Sequence, residues 1–268
     1  MKIARIRLDG GRAAYAAVEP DGYRIVKGDP FGRIEFSGET VPAARAALLA
    51  PVVPPQVVAI GLNYRKHAQE SGMAVPTAPV VFIKTCNTVV GPSADIVLPA
   101  MAPNEVDYEA ELVIVIGKEA KRVSEARALD YVLGYTCGND VSARDCQLRL
   151  DKQWARGKCF DTFAPIGPWI VTDVDGDNLG IKLTLNGATM QQSNTSDMVF
   201  GCRQLVSYLS HCMTLVPGSI IMSGTPSGVG MGRKPPVWLK AGDTVTVEIE
   251  RIGALTNSVV SEQRTEGR

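Results

Sequence analysis

The chain has 268 residues, 45% of them hydrophobic, and carries 28 Lys plus Arg against 28 Asp plus Glu. That length and composition suffice for one large domain, or one large and one small. A neutral balance leaves no electrostatic footprint for nucleic acid or an anionic membrane, and no stretch approaches the roughly 18 to 20 apolar residues of a membrane span.

The opening run Met1-Lys2-Ile3-Ala4-Arg5-Ile6-Arg7-Leu8 alternates charged and apolar residues as a strand does. It lacks the continuous apolar core of a signal peptide, so a soluble cytoplasmic protein is expected. Further short alternating segments at 13–18 and 22–26 are punctuated by Asp9-Gly10-Gly11 and Asp21-Gly22, which favour tight turns. Pro51-Val52-Val53-Pro54-Pro55 then breaks any regular element. A small β-rich N-terminal domain over residues 1–55 and a main domain over 56–268 are therefore predicted.

Beyond residue 56, strand-like runs fall at 57–61, 80–84, 112–117, 132–137, 169–172, 181–186, 219–223 and 244–249. Helical signals are fewer. One covers 142–150, opened by Ser142 and Asp145 in capping-box spacing, and another covers 202–213 with Leu205, Val206, Leu209, Cys212 and Met213 on one face. The fold class read from this pattern is mixed α/β and β-rich, with helices as accessories.

The chemistry centres on Asp107-Tyr108-Glu109-Ala110-Glu111, which runs directly into the apolar, β-branched Leu112-Val113-Ile114-Val115-Ile116. On a strand, Glu109 and Glu111 point to the same face about 6–7 Å apart. A buried strand makes two unpaired carboxylates costly, and a hard divalent cation relieves that cost. Asp140, at the end of the run 131–139, is placed to be presented to the same site. With only two histidines and six cysteines, none in a C-x-x-C pair, a zinc site is disfavoured and carboxylate ligation of Mg²⁺ or Mn²⁺ is favoured. The cysteines, mostly among apolar neighbours, read as buried thiols of a reducing compartment.

His67 and Glu70 stand three residues apart on a predicted helical turn, a spacing that orients an imidazole as a general base. His211 falls opposite the apolar stripe of its helix and reads as surface. Lys158, in a predicted loop, would stabilise a developing oxyanion or enolate if it reached a metal site. The segment Ser223-Gly224-Thr225-Pro226-Ser227-Gly228-Val229-Gly230-Met231-Gly232 could present backbone N–H groups and the Thr225 hydroxyl to a carboxylate, and matches neither a Walker loop nor a dinucleotide fingerprint.

Taken together, Gly61-Leu62-Asn63-Tyr64 with His67 and Glu70, Phe82-Ile83-Lys84, Glu109-Ala110-Glu111-Leu112, Gly134-Tyr135, Asn139-Asp140-Val141-Ser142-Ala143-Arg144-Asp145, Lys158 and the segment 223–230 resemble the fumarylacetoacetate hydrolase family, specifically its acylpyruvase-like members. The resemblance implies a β-roll catalytic domain over 56–268 behind a small variable N-terminal domain, assembled as a homodimer. It implies Glu109, Glu111 and Asp140 as ligands of Mg²⁺ or Mn²⁺, and His67 with Glu70 as a water-activating dyad on a lid. Lys158 and Gln147, with Arg144, Thr225 and Lys84, are implied as contacts to a small keto-acid substrate. Two positions depart from the family pattern, Ser223 where Thr is common and Cys159 where Ser is common. The expected reaction is hydrolysis of a carbon–carbon bond in an acylpyruvate, releasing pyruvate. Decarboxylation or tautomerisation of oxaloacetate on the same site is the alternative, and a catalytically silent binding protein is a third reading.

Overall fold

Strand Ala110–Ile116 is buried along its whole length. Its even positions, Leu112, Ile114 and Ile116, enter one core layer, while Val113 and Val115 enter another. A strand covered on both faces needs an unbroken apolar run rather than alternation, and Leu112-Val113-Ile114-Val115-Ile116 supplies one. The computed structural model describes residues 1–263.

This strand lies inside a 12-stranded sheet. From one edge the order is Phe36–Pro42, Gly22–Val26, Ala13–Glu19, Lys2–Leu8, Ala164–Val171, Val132–Asn139, Ala110–Ile116, Ile220–Met222, Val57–Gly61 and Val80–Lys84. Ala46–Leu48 and Val89–Val90 pair onto it from the side. A five-stranded sheet, built from Ala188–Asn194, Gly180–Leu185, Thr244–Ile249, Gly253–Ser261 and Ile96–Leu98, packs against its centre. Leu183, Val247 and Leu255 of the smaller sheet meet Leu112 and Ile114 in the larger core. The fold is β-rich with few helices, as predicted.

The helix expected at 202–213 is present as Cys202–Cys212, with Leu205, Val206 and Leu209 buried. The helix expected at 142–150 is not. Ser142–Ala143 instead forms a short strand against Val106–Asp107, followed by a π-type turn at Cys146–Leu150. The Ser142 hydroxyl donates to the Asp140 carbonyl, and Asp145 accepts from the Cys146 N–H, so the predicted capping box does not form. Pairing with Val106–Asp107 outweighs the weak helical signal, because it returns Arg144 to the acidic strand. The strand predicted at 169–172 begins earlier, at Ala164, and spans Pro165 and Pro168. Three cysteines are buried, Cys137, Cys146 and Cys202, while Cys86 and Cys212 are exposed and Cys159 is half-buried, fewer buried thiols than expected.

The sheet runs on across the prolines at 51–55. Lys2–Leu8 pairs antiparallel with Ala164–Val171, with Ile3 opposite Ile170. Ala4, Ile6, Ala16, Tyr23 and Ile25 form a separate small core layer on that extension. No helix among the described residues is long and apolar enough to cross a membrane.

Candidate active site

Strand alternation puts Glu111 on the same face as Val113 and Val115, at the open end of that core layer. Across the ladder Glu111 stands opposite Gly138, where a Cβ would come within 2.5 Å of Val113 Cγ2. Glycine there leaves the Val113, Met222 and Ile166 side chains room to close the core layer beneath the carboxylate. The Asp140 N–H donates to the Glu109 carbonyl at 2.9 Å, and the Glu109 N–H donates to Asn139 Oδ1 at 2.9 Å. These bonds lock the end of Val132–Asn139 beside the acidic strand. One oxygen each from Glu109, Glu111 and Asp140 therefore lie within 4.8 Å of one another, all three residues buried.

Four buried acids meet three buried bases here. Lys158 Nζ donates to Glu109 Oε2 at 2.8 Å and to Asp140 Oδ2 at 2.6 Å. Lys84 Nζ donates to Asp140 Oδ1 and to the Val141 carbonyl. Arg144 pairs with Asp107 at 2.8 Å and Glu109 at 2.6 Å. Glu111 has no basic partner among the described residues and accepts one N–H, from Gly224 at 3.0 Å. Burial, with Asp140 and Glu109 adding repulsion, pushes its carboxyl well above the usual range. Burial acts the same way on Glu109, but Lys158 and Arg144 outweigh it and hold that carboxyl low. Lys158 is raised because Asp140 and Glu109 overcome its burial, whereas burial dominates at Lys84 and lowers it. One uncompensated negative charge beside three convergent oxygens fits a hard divalent cation.

His67 lies on the helical turn Arg65–Glu70, and its Nδ1 is 3.0 Å from Glu70 Oε2. Glu70 also accepts the Gly228 N–H on Oε1 at 2.8 Å. With Nδ1 held, Nε2 is the nitrogen left for other work. His67, Glu109, Glu111, Asp140, Arg144, Gln147, Lys158 and Thr225 all line one cavity of about 350 Å³. His211 is exposed, its Nδ1 2.9 Å from the Ser207 carbonyl.

Three placements differ from expectation. Lys158 ends the helical turn Ala155–Lys158 rather than sitting in a loop, and is buried by its two ion pairs. Lys84 is directed at Asp140 from behind and does not line the cavity. The Thr225 hydroxyl donates to the Ala110 carbonyl and accepts from Gln191 Nε2 at 2.8 Å, so it is already engaged within the protein. The glycine-rich segment holds carboxylates as predicted, but they are the protein's own: Glu111 through Gly224, Glu70 through Gly228, and Asp107 through Gly230 and Met231.

Asp107 was missed as a site residue. It is fully buried and accepts from Gly230 N at 2.7 Å, Met231 N at 3.1 Å and Arg144 Nε at 2.9 Å. Counting back by two from Glu109, the same period-two argument would have reached it. Asp107→Asn is expected to destabilise the fold by about 3–5 kcal/mol, because a donor then faces the Arg144 guanidinium in a buried pair. Chemical denaturation measures this, and an unchanged unfolding free energy would show that Asp107 anchors nothing.

A sequence profile of the family described as fumarylacetoacetate (FAA) hydrolase C-terminal matches residues 56–260, and one described as Rv2993c-like, N-terminal matches residues 1–51. The fumarylacetoacetate hydrolase domain-containing protein 2 homolog of Dictyostelium discoideum is 52% identical over 237 residues, covering 84% of this chain and 77% of that protein. The mitochondrial oxaloacetate tautomerase Fahd2a of Rattus norvegicus is 47% identical over 224 residues, 82% of this chain and 71% of the rat protein. Among solved structures, 5-carboxymethyl-2-hydroxymuconate delta-isomerase from Mycobacterium smegmatis superposes with a TM-score of 0.89 at 43% identity, covering 98% of this chain and all of that one.

Proposed function

The chain belongs to the fumarylacetoacetate hydrolase family, and on that premise we propose that its site catalyses keto–enol tautomerisation of a 2-oxo acid by moving a proton at carbon 3. The observation that carries the reading is that His67 and the three carboxylates line one cavity. The tautomerase and isomerase names of the rat and mycobacterial proteins support the same reaction class.

Glu109, Glu111 and Asp140 would hold Mg²⁺ or Mn²⁺, which when bound supplies Lewis acidity to the 2-oxo oxygen. In the keto-to-enol direction His67 Nε2 takes the carbon 3 proton while the 2-oxygen gains one from solvent. In the reverse direction the imidazolium gives its proton to carbon 3 as the oxygen loses its own; Glu70 on Nδ1 keeps the ring oriented. The Lys158 ammonium, fixed between Glu109 and Asp140, places positive charge beside the oxygen that gains negative charge as the proton leaves. Arg144 donates to Gln147 Oε1 at 2.9 Å, which leaves Gln147 Nε2 as a donor for a substrate carboxylate. Lys84, through Asp140, is a positioning residue in this scheme. Thr225, its hydroxyl used within the protein, shapes the wall.

The test is decay of the oxaloacetate enol, followed by ultraviolet absorbance with Mg²⁺ or Mn²⁺ present and again after exhaustive chelation. Cation-dependent acceleration is expected. Full activity in the chelated protein would remove the metal from the reading.

Hydrolysis of an acylpyruvate is the second reading. The same dyad can take a proton from water instead of carbon, and the cavity exceeds what a four-carbon diacid requires. Pyruvate release from acetylpyruvate discriminates the two, and carbon dioxide release from oxaloacetate tests decarboxylation in the same assay. A cytoplasmic homodimer completes the proposal. Support for the dimer is the outermost strand Val80–Lys84, whose outer edge has no partner strand among the described residues and whose Val80 and Ile83 are exposed.

A further inference from the structure

The cavity has two chemically distinct halves. Its charged side chains gather at the inner end, and every cation there is committed. Lys158 is shared between Glu109 and Asp140, and Arg144 among Asp107, Glu109 and Gln147. The outer half is walled by Leu62, Met73, Phe82, Leu148, Trp154 and Met231, with no positive charge among them. Phe82 marks the border, with Lys158 Nζ 5.2 Å from its ring centroid.

That wall is built rather than incidental. Trp154 meets Phe82 edge to face at 5.6 Å, and the indole occupies the space over Gly61, where a Cβ would come within 2.7 Å of it. Gly61 thus gives the indole its seat. A second carboxylate reaching this half would give up part of its hydration against Phe82 and Trp154 and find no cationic partner, whereas each added methylene of an alkyl tail would gain hydrophobic free energy.

We infer that the outer half is a subsite for an apolar alkyl or aryl substituent, and that the preferred substrate is a monoanionic 2-oxo acid carrying that substituent on carbon 3. This rests on the 2-oxo acid reading above.

The test is proton–deuteron exchange at carbon 3, followed by NMR in D₂O with the Mn²⁺- or Mg²⁺-loaded full chain. It needs no stable enol and treats all acids alike. Exchange efficiency should rise about fourfold per methylene from 2-oxobutanoate to 2-oxohexanoate. 2-Oxohexanoate should exceed 2-oxoglutarate on the order of tenfold. Leu148, at the rim and 48% exposed, offers a gain-of-charge variant that does not disturb the core, and Leu148→Arg should shift that ratio toward 2-oxoglutarate. A flat series, or 2-oxoglutarate exchanging faster than 2-oxohexanoate in the unsubstituted protein, overturns the apolar subsite while leaving the enolisation reading standing. No exchange with any acid, oxaloacetate included, overturns the enolisation reading and this inference with it.

Discussion

Glu111→Gln is expected to abolish divalent-cation binding and lower turnover by about 10³-fold, the worth of several kcal/mol of charge stabilisation, while the cation-free protein becomes harder to melt. The two effects share one cause. Glu111 is buried with no basic partner among the described residues, so without a cation its charge opposes folding. Glutamine keeps the shape, and its carbonyl can still accept the Gly224 N–H. Relief of the charge should raise the melting temperature by roughly 2–4 °C per kcal/mol gained. Asp140→Asn and Glu109→Gln should behave in the opposite way. Each breaks a buried pair with Lys158, a loss of about 3–5 kcal/mol, so both should lower the melting temperature as well as cation affinity. Calorimetric titration with Mn²⁺ and thermal unfolding in chelator check all three. A Glu111→Gln protein that still binds Mn²⁺, or that melts earlier than its parent, would take Glu111 out of the centre.

His67→Ala is expected to reduce turnover by about 10²- to 10⁴-fold, the usual contribution of a positioned general base, with Mn²⁺ affinity nearly unchanged. The imidazole is 3.0 Å from Glu70 and lines the cavity, but it is not among the three residues whose oxygens converge. Glu70→Gln should cost less, since an amide oxygen can still accept from Gly228 while its NH₂ donates to Nδ1 of the neutral ring and keeps it in place. His211→Ala, on the exposed face of its helix, serves as the control. Greater damage from His211→Ala than from His67→Ala would reassign the base.

Much of this centre was legible in the sequence because period-two spacing is hard geometry. Two glutamates that alternate into an apolar run must share a face, and the run itself announces burial. His67 and Glu70 were legible for the matching reason at helical spacing. The π-type turn at Cys146–Leu150 was not, because a few residues of weak helical pattern cannot outweigh the long-range strand pairing of Asp107 with Ser142. The burial of Lys84 and Lys158 was equally invisible. A lysine sinks into a core only where carboxylates meet it, and which carboxylates meet it is decided by chain crossings that local pattern does not encode. Edge strands Phe36–Pro42 and Ala188–Asn194 escaped notice because only one of their residues, Gln191, is buried and little alternation survives.

The antiparallel pairing of Ile3 with Ile170 has a consequence for biosynthesis. During translation, Lys2–Leu8 can join Ala13–Glu19 along one edge and Ala46–Leu48 over Ile6–Leu8 of the other early, but the Lys2–Ile3 end of that second edge stays open until Ala164–Val171 has emerged. At about 5–20 residues per second that wait is roughly 6–25 s. Throughout it the nascent chain presents an unpaired hydrogen-bonding edge at Lys2 and Ile3, the kind of surface that holdase chaperones shield and that pairs wrongly between neighbouring ribosomes on one message.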